Sequence, residues 1–182
     1  MQVLEGSIKK EDYENNNASQ EIHALKHNWV LWAHLPHDSD WTLKSYVEVC
    51  KVKTIEETVN IMSKLPISLV KNCMLFFMKE GVKPHWEDAS NRKGGCFSYK
   101  VLDKNIYETW KQITYVTAGN TISNDNTFNS KVTGITISPK KKFCVIKIWI
   151  SDCNYQNPNI ISVGINDIVS AGCIFKKHNP EY

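Results

Sequence analysis

Residues 84–97 read PHWEDASNRKGGCF. Pro84 opens a turn, and the polar run through Asp88, Ser90 and Asn91 to the paired glycines Gly94 and Gly95 carries turn residues rather than a helical or strand pattern. Gly95–Val101 then sets Phe97, Tyr99 and Val101 in alternation with Ser98 and Lys100, which predicts a strand. The segment is a loop, a basic turn and a strand. It presents an indole, Trp86, directly beside a carboxylate, Glu87, among polar neighbours where burial of a tryptophan is unnatural.

Outward from this loop, β-branched and aromatic content predicts strands over Asn28–His34, Ser45–Cys50, Cys73–Lys79, Val132–Ser138 and Lys142–Ser151. Apolar spacing predicts helices over Thr54–Leu65, Lys104–Val116 and Pro158–Ala171, the last with proline in its first turn and Gly172 just past its end. Asn120–Ser130 reads as a loop. Hairpin-like strand pairs separated by single helices describe an α+β fold, an antiparallel sheet with helices on one side.

Two periodicities bear on function. The Thr54–Leu65 helix carries one stripe of Thr58, Ile61 and Leu65 and a second of Ile55, Val59 and Met62. One stripe suffices for a core, so the second is either buried as well or meets a partner. In Lys142–Ser151, Cys144, Ile146, Ile148 and Ile150 point one way, leaving Phe143, Val145, Lys147 and Trp149 on the other face.

The chain has 182 residues, enough for one domain with a tail. Residues 1–22 are polar and net acidic and are expected to form a mobile arm, followed by one domain over 23–182. No segment has the length of a membrane span and no apolar signal segment is evident, so no membrane role is expected. Six scattered cysteines without a C-x-x-C pair read as reduced thiols of the cytoplasm or nucleus. Twenty-one lysines against the single Arg92, with abundant Asn and Ile, point to an AT-rich coding sequence.

The W-E-D…N-R-K-G-G block, taken with HALKHNWVLWAH (residues 23–34), a tryptophan nine residues after Trp32, and Lys-Ile-Trp at 147–149, resembles the eukaryotic translation initiation factor 4E family of mRNA cap-binding proteins. The resemblance runs from His23 to about Trp149. It implies a single curved antiparallel sheet of about eight strands backed by about three helices on its convex side. It also implies a non-catalytic cytoplasmic protein that binds the 7-methylguanosine 5′ cap of mRNA without metal or cofactor.

By the same resemblance the base lies between Trp41 and Trp86, Glu87 accepts from its N1 and N2 donors, and Trp149 lies against the N7-methyl group. Methylation makes the purine cationic, and an indole face attracts such a cation by about 0.5–2 kcal/mol beyond stacking. Lys140, Lys142 and Lys147 are the cations expected at the triphosphate: Lys140, within the run 140–142, matches a family basic position, two others are lost at Cys96 and Val145, and Lys147 on the same strand face stands in for the one at Val145. Lysine lacks the bidentate fork of arginine, so salt sensitivity is expected.

A partner surface is implied at His23, Ile55, Val59 and Tyr115, with Met62 extending the stripe. Ala24, Val59, Lys111 and Gln112 depart from the family pattern there, and loss of the central tryptophan at 59 removes an anchor for the usual scaffold factor. This leaves recruitment of capped mRNA to translation as the main reading, with a cap-binding repressor or decoy as the alternative and, as a different class, an interaction module that kept the fold and lost the cap. A decapping hydrolase would need clustered metal-binding acids, and the acids are dispersed. His34, His37 and Asp38 lack a third cluster for a metal, and nothing near Cys96 activates a thiol nucleophile.

Overall fold

The computed structural model describes residues 21–178. The expected arm falls outside the described residues except for Glu21 and Ile22. The strands are β1 (Ala24–His34), β2 (Tyr46–Thr54), β3 (Met74–Lys79), β4 (Gly95–Leu102), β5 (Val132–Pro139), β6 (Phe143–Ile150) and β7 (Ile174–Lys177). They form one open antiparallel sheet in the order β2-β1-β3-β5-β6-β4-β7. Seven strands are present among the described residues, against the expected eight. Register shifts in the β1–β2 and β5–β6 pairs put bulges, and hence local bends, into the sheet.

Among the described residues four helices accompany the sheet: α1 (Ile55–Lys64), α2 (Ile67–Asn72), α3 (Ile106–Ala118) and α4 (Asn126–Lys131). Strand alternation sends Trp29, Leu31, Leu75, Phe77, Phe97, Ile135, Ile146 and Ile148 to the face where Met62, Val70, Trp110, Ile113 and Phe128 of the helices pack. Trp29 stacks on Phe77 with ring centroids 5.1 Å apart. The opposite face carries a smaller apolar cluster of Val30, Trp32, Phe76, Met78, Cys96 and Trp149, built without any helix residue. Trp29, Trp32 and Trp110 are all buried.

Local chemistry explains where α1 begins. Thr54 Oγ1 accepts from Glu57 N (3.1 Å), and Glu57 reaches back to accept from Lys53 N (2.6 Å), a near capping box. The inner stripe of α1 is Thr58, Met62 and Leu65, at i, i+4 and i+7. Met62 is 0% exposed, which corrects its assignment to the partner surface. At about 100° per residue Met62 falls only about 20° from Ile55, but on the side of Thr58 and Leu65, and α3 covers it there, with Tyr107 OH donating to the Met62 carbonyl (3.2 Å).

Three further differences have clear causes. The helix expected over Pro158–Ala171 is only a 3-10 turn, Pro158–Ile160, followed by an irregular strap. Ile161, Ile165 and Ile168 are buried there at helical spacing, but Gly164 and the Asn-Asp pair favour other backbone states. Asp167 instead accepts from Asn105 Nδ2 (2.8 Å) and Thr109 Oγ1 (3.3 Å), tying the strap to the start of α3. The segment read as a loop contains α4, started by Asp125 accepting from Thr127 N and Phe128 N. β3 and β4 are not a hairpin, since β5 and β6 lie between them.

Candidate functional site

That last difference positions the site. β3 and β4 stand three strand spacings apart, about 14 Å, so residues 80–94 must cross the end of the sheet. The crossing is knitted from within. Asn91, 0% exposed, donates to Lys83 O (3.2 Å) and His85 O (2.9 Å). Asp88 accepts from Lys83 N (3.1 Å) and Ser90 N (2.8 Å). Gly94 is needed where the loop rejoins the sheet, since a Cβ there would sit 1.7 Å from Ile150 O. The second acid of the Trp-Glu-Asp run is thus a structural clamp, and the first is free to face outward. Trp86 packs half-buried on the open-face cluster, and Glu87 is exposed.

Beside Trp86 a cavity of ≈ 280 Å³ opens, lined by Cys96, Lys147, Trp149, Lys176, Lys177 and His178. Register explains the set. Cys96 pairs with Trp149 on one side and Lys176 on the other, so the three side chains share the open face. Lys147, two residues before Trp149, falls on the same face. Gly134, opposite Trp149, has little room for a side chain because the Phe77 carbonyl oxygen lies 2.8 Å from where its Cβ would be, with Met78 Sδ also in the way. His178 donates from Nδ1 to Asn91 O (3.0 Å), and its ring lies 4.7 Å from that of Trp149.

Charge in the cavity is positive. Burial pushes the Cys96 thiol up, opposed by nearby Lys147 and Lys176, so a buried thiol rather than a thiolate faces the space. Burial holds His178 below the ordinary histidine value, opposed by its bond to Asn91 and reinforced by Lys147. Among the described residues no group of three or more His, Cys, Asp or Glu could hold a metal.

Trp41 occupies a separate turret on the β1–β2 loop and is 58% exposed. Its inner face stacks on His34, with centroids 4.2 Å apart and planes 2° from parallel. His34 meets Tyr46 edge-on at 5.1 Å, and Tyr46 meets Phe76 of the open-face cluster at 5.3 Å. Burial and then the charge of Glu87 raise the Tyr46 phenol, which places the Glu87 carboxylate within electrostatic reach of this aromatic chain. Glu87 Oε2 lies 3.1 Å from His85 Nδ1.

Of the residues expected at the site, the cavity brings together Trp86, Lys147 and Trp149. Trp41 and Glu87 flank the open face from two loops. Lys140 and Lys142 sit exposed at the β5–β6 turn, where Lys140 N donates to Phe143 O (2.8 Å). Lys140 lines a different groove with Lys71, His37 and Lys141. Sequence reading did not place Lys176, Lys177 and His178 at the site. Their only signal is a four-residue edge strand, β7, too short to read.

On the helix-covered side, Ile55 (47% exposed) and Val59 (45%) line a shallow apolar cavity of ≈ 100 Å³ with Leu25, Thr58, Tyr115, Ala118 and Gly119. His23 clamps the start of α1. Its backbone N and Nδ1 both contact the Glu56 carboxylate, the latter at 2.8 Å. These bonds hold Glu56 well down, to about 2.

The family model described as eukaryotic initiation factor 4E matches residues 24–180. Eukaryotic translation initiation factor 4E-2 of Schizosaccharomyces pombe is 33% identical over 141 residues, which cover 72% of this chain and 55% of the relative. A translation initiation factor 4E homolog of Acanthamoeba polyphaga mimivirus is 25% identical over 157 residues, 74% of this chain and 54% of the relative. The chain thus spans little more than half the length of these two relatives. Schistosome eIF4E, solved in complex with m7GpppG and 4E-BP, superposes with a TM-score of 0.70 at 16% identity, covering 86% of this chain and 88% of that one. The match of the family model over residues 24–180, a span that holds every strand of the sheet, makes this chain a member of the eukaryotic initiation factor 4E family.

Proposed function

We propose that the chain binds the 7-methylguanosine cap of mRNA on its open sheet face and recruits capped mRNA to translation in the cytoplasm. The observation that carries the reading is the pairing of an outward, braced indole (Trp41) with a second indole (Trp86) beside a carboxylate (Glu87) and a lysine-lined cavity. Each element answers one part of the ligand. Two indole faces suit a cationic purine, with base stacking worth roughly 1–3 kcal/mol per face. Glu87 accepts from the N1 and N2 edge, a bidentate base contact of about 1–3 kcal/mol. Trp149 forms the wall beside the methyl group. Lys147, joined by Lys176 across the cavity, neutralises phosphate, while Lys140 and Lys142 add charge at the rim. The schistosome relative complexed with m7GpppG supports the same assignment.

Retention on immobilised m7GTP tests it. Elution by free m7GTP and not by equal GTP is expected, and equal elution by GTP would overturn the reading. The apolar cavity at Ile55, Val59 and Tyr115 favours a helical protein partner on the other side. Val59 fills that surface less than a tryptophan would, which supports the second reading, a cap-binding repressor or decoy that does not engage the usual scaffold factor. A pull-down with a scaffold-derived peptide separates them, since firm capture removes the repressor reading.

A further inference from the structure

His34 is 3% exposed, yet it is polar and sits in the last position of β1. Its Nε2 lies 2.9 Å from the Asp40 carbonyl oxygen. A carbonyl only accepts, so Nε2 carries the proton in the neutral ring and Nδ1 is left as the site of further protonation. The loop that follows is rigid around it. Asp40 N donates to Asp38 Oδ1 (2.9 Å), and Thr42 N and Oγ1 donate to Asp40 (2.8 and 3.0 Å). Asp40 is held below the usual carboxylate range chiefly by those Thr42 bonds, with the His34 charge a smaller cause. Trp41 is held by this frame with one face on the imidazole and the other in solvent.

We propose that His34 is a positioning residue for cap binding: neutral, it braces Trp41 in a ligand-ready plane, and protonated, it weakens capture of the cationic base. The proposal rests on the cap-binding reading and adds a pH control to it. A base stacked on the outer face of Trp41 would lie about 3.5–4 Å from the indole, with the imidazole centroid 4.2 Å away on the inner face. Two positive rings would then stand roughly 8 Å apart across one indole. At effective dielectric constants between bulk water and a protein surface, that repulsion is a loss of about 2- to 30-fold in affinity.

Other groups near the ring are accounted for. His37, Asp38 and Asp40 come from its own loop, and Tyr46 from β2. β3 contributes the uncharged Met74. Lys71 of α2 and Lys140 and Lys141 of the β5–β6 turn line the adjoining groove. None of these stacks on Trp41, so none can place a charge directly behind it.

The test is an m7GTP fluorescence titration at pH 8 and pH 5.5 on the wild type, His34→Phe and His34→Ala. His34→Phe keeps the ring stack behind Trp41 without the charge, losing only the bond to the Asp40 carbonyl, and it shares every other titration, including those of the ligand, His85 and His178. Between the two pH values the wild type should lose more affinity than His34→Phe, by about twofold or more and by no more than the roughly 30-fold ceiling set by the repulsion. His34→Ala should bind severalfold more weakly than His34→Phe at pH 8. Identical pH profiles for wild type and His34→Phe would overturn the proposal. So would wild-type affinity in His34→Ala, or a gain at low pH peculiar to the wild type, which would signify attraction of the phosphates. If His34→Ala does not fold, the wild-type and His34→Phe profiles decide alone. Absence of m7GTP binding at either pH in every variant would overturn the cap reading itself, a result distinct from binding with matched profiles.

Discussion

Glu87 is engaged before any ligand arrives. Its Oε2 lies 3.1 Å from His85 Nδ1, with the two side chains 53% and 26% exposed. To read a guanine edge it must let His85 go. Exposed pairs of this kind are worth about 0–1 kcal/mol, so removing the competitor by His85→Ala should leave cap affinity unchanged or raise it by at most about fivefold. Glu87→Gln keeps the shape but turns one acceptor into a donor facing the base. It removes a bidentate contact of about 1–3 kcal/mol, a loss of roughly 5- to 150-fold. The double variant should match Glu87→Gln, because a latch with nothing to hold has no effect. The assay is intrinsic tryptophan quenching by m7GTP at fixed salt and pH. Glu87→Gln binding within twofold of wild type, or His85→Ala falling as far as Glu87→Gln, would refute the reasoning.

Three further outcomes are expected. Lys147→Ala and Lys176→Ala should each weaken m7GTP binding and flatten its dependence on salt, leaving 7-methylguanosine nucleoside affinity within twofold, if these lysines meet phosphate and not base as proposed; parallel salt titrations check this. Val59→Trp should tighten a helical scaffold-derived peptide by about tenfold or more through a restored anchor, measured by calorimetry. Glu56 should titrate near pH 2, as its bonds to His23 imply. A carboxyl lowered in the folded state stabilises above its unfolded value of 4.5, and that contribution is lost as pH falls from there through about 2. NMR titration of the Glu56 carboxyl should show this, with His23→Ala moving the midpoint back toward 4.5.

Much of the sheet was legible because alternation is a local signal. The six predicted strands all exist, and β6 turns Trp149 and Lys147 to the open face as its pattern requires. Trp86 was legible as a loop tryptophan. What stayed hidden depends on pairing or on packing. No local feature says that β3 and β4 are separated by two strands, yet that separation stretches the Trp86 loop across the sheet. Met62 looked like part of an exposed stripe until α3 packed on α1 and Tyr107 reached the Met62 carbonyl at 3.2 Å. Ile161, Ile165 and Ile168 imitate a helix while lying on an irregular strap held by Asp167. Lys176 becomes a site residue only through its register with Cys96, and His34 only through its stack on Trp41.

The central claim is that two indoles from separate loops close on one methylated base. A crystal structure of the protein with m7GTP tests it most directly. The purine should lie between Trp41 and Trp86, with Glu87 oxygens within about 3.2 Å of N1 and N2 and the phosphates directed toward Lys147 and Lys176. A nucleotide seated elsewhere, with Trp41 still bare to solvent on its outer face, would contradict the account.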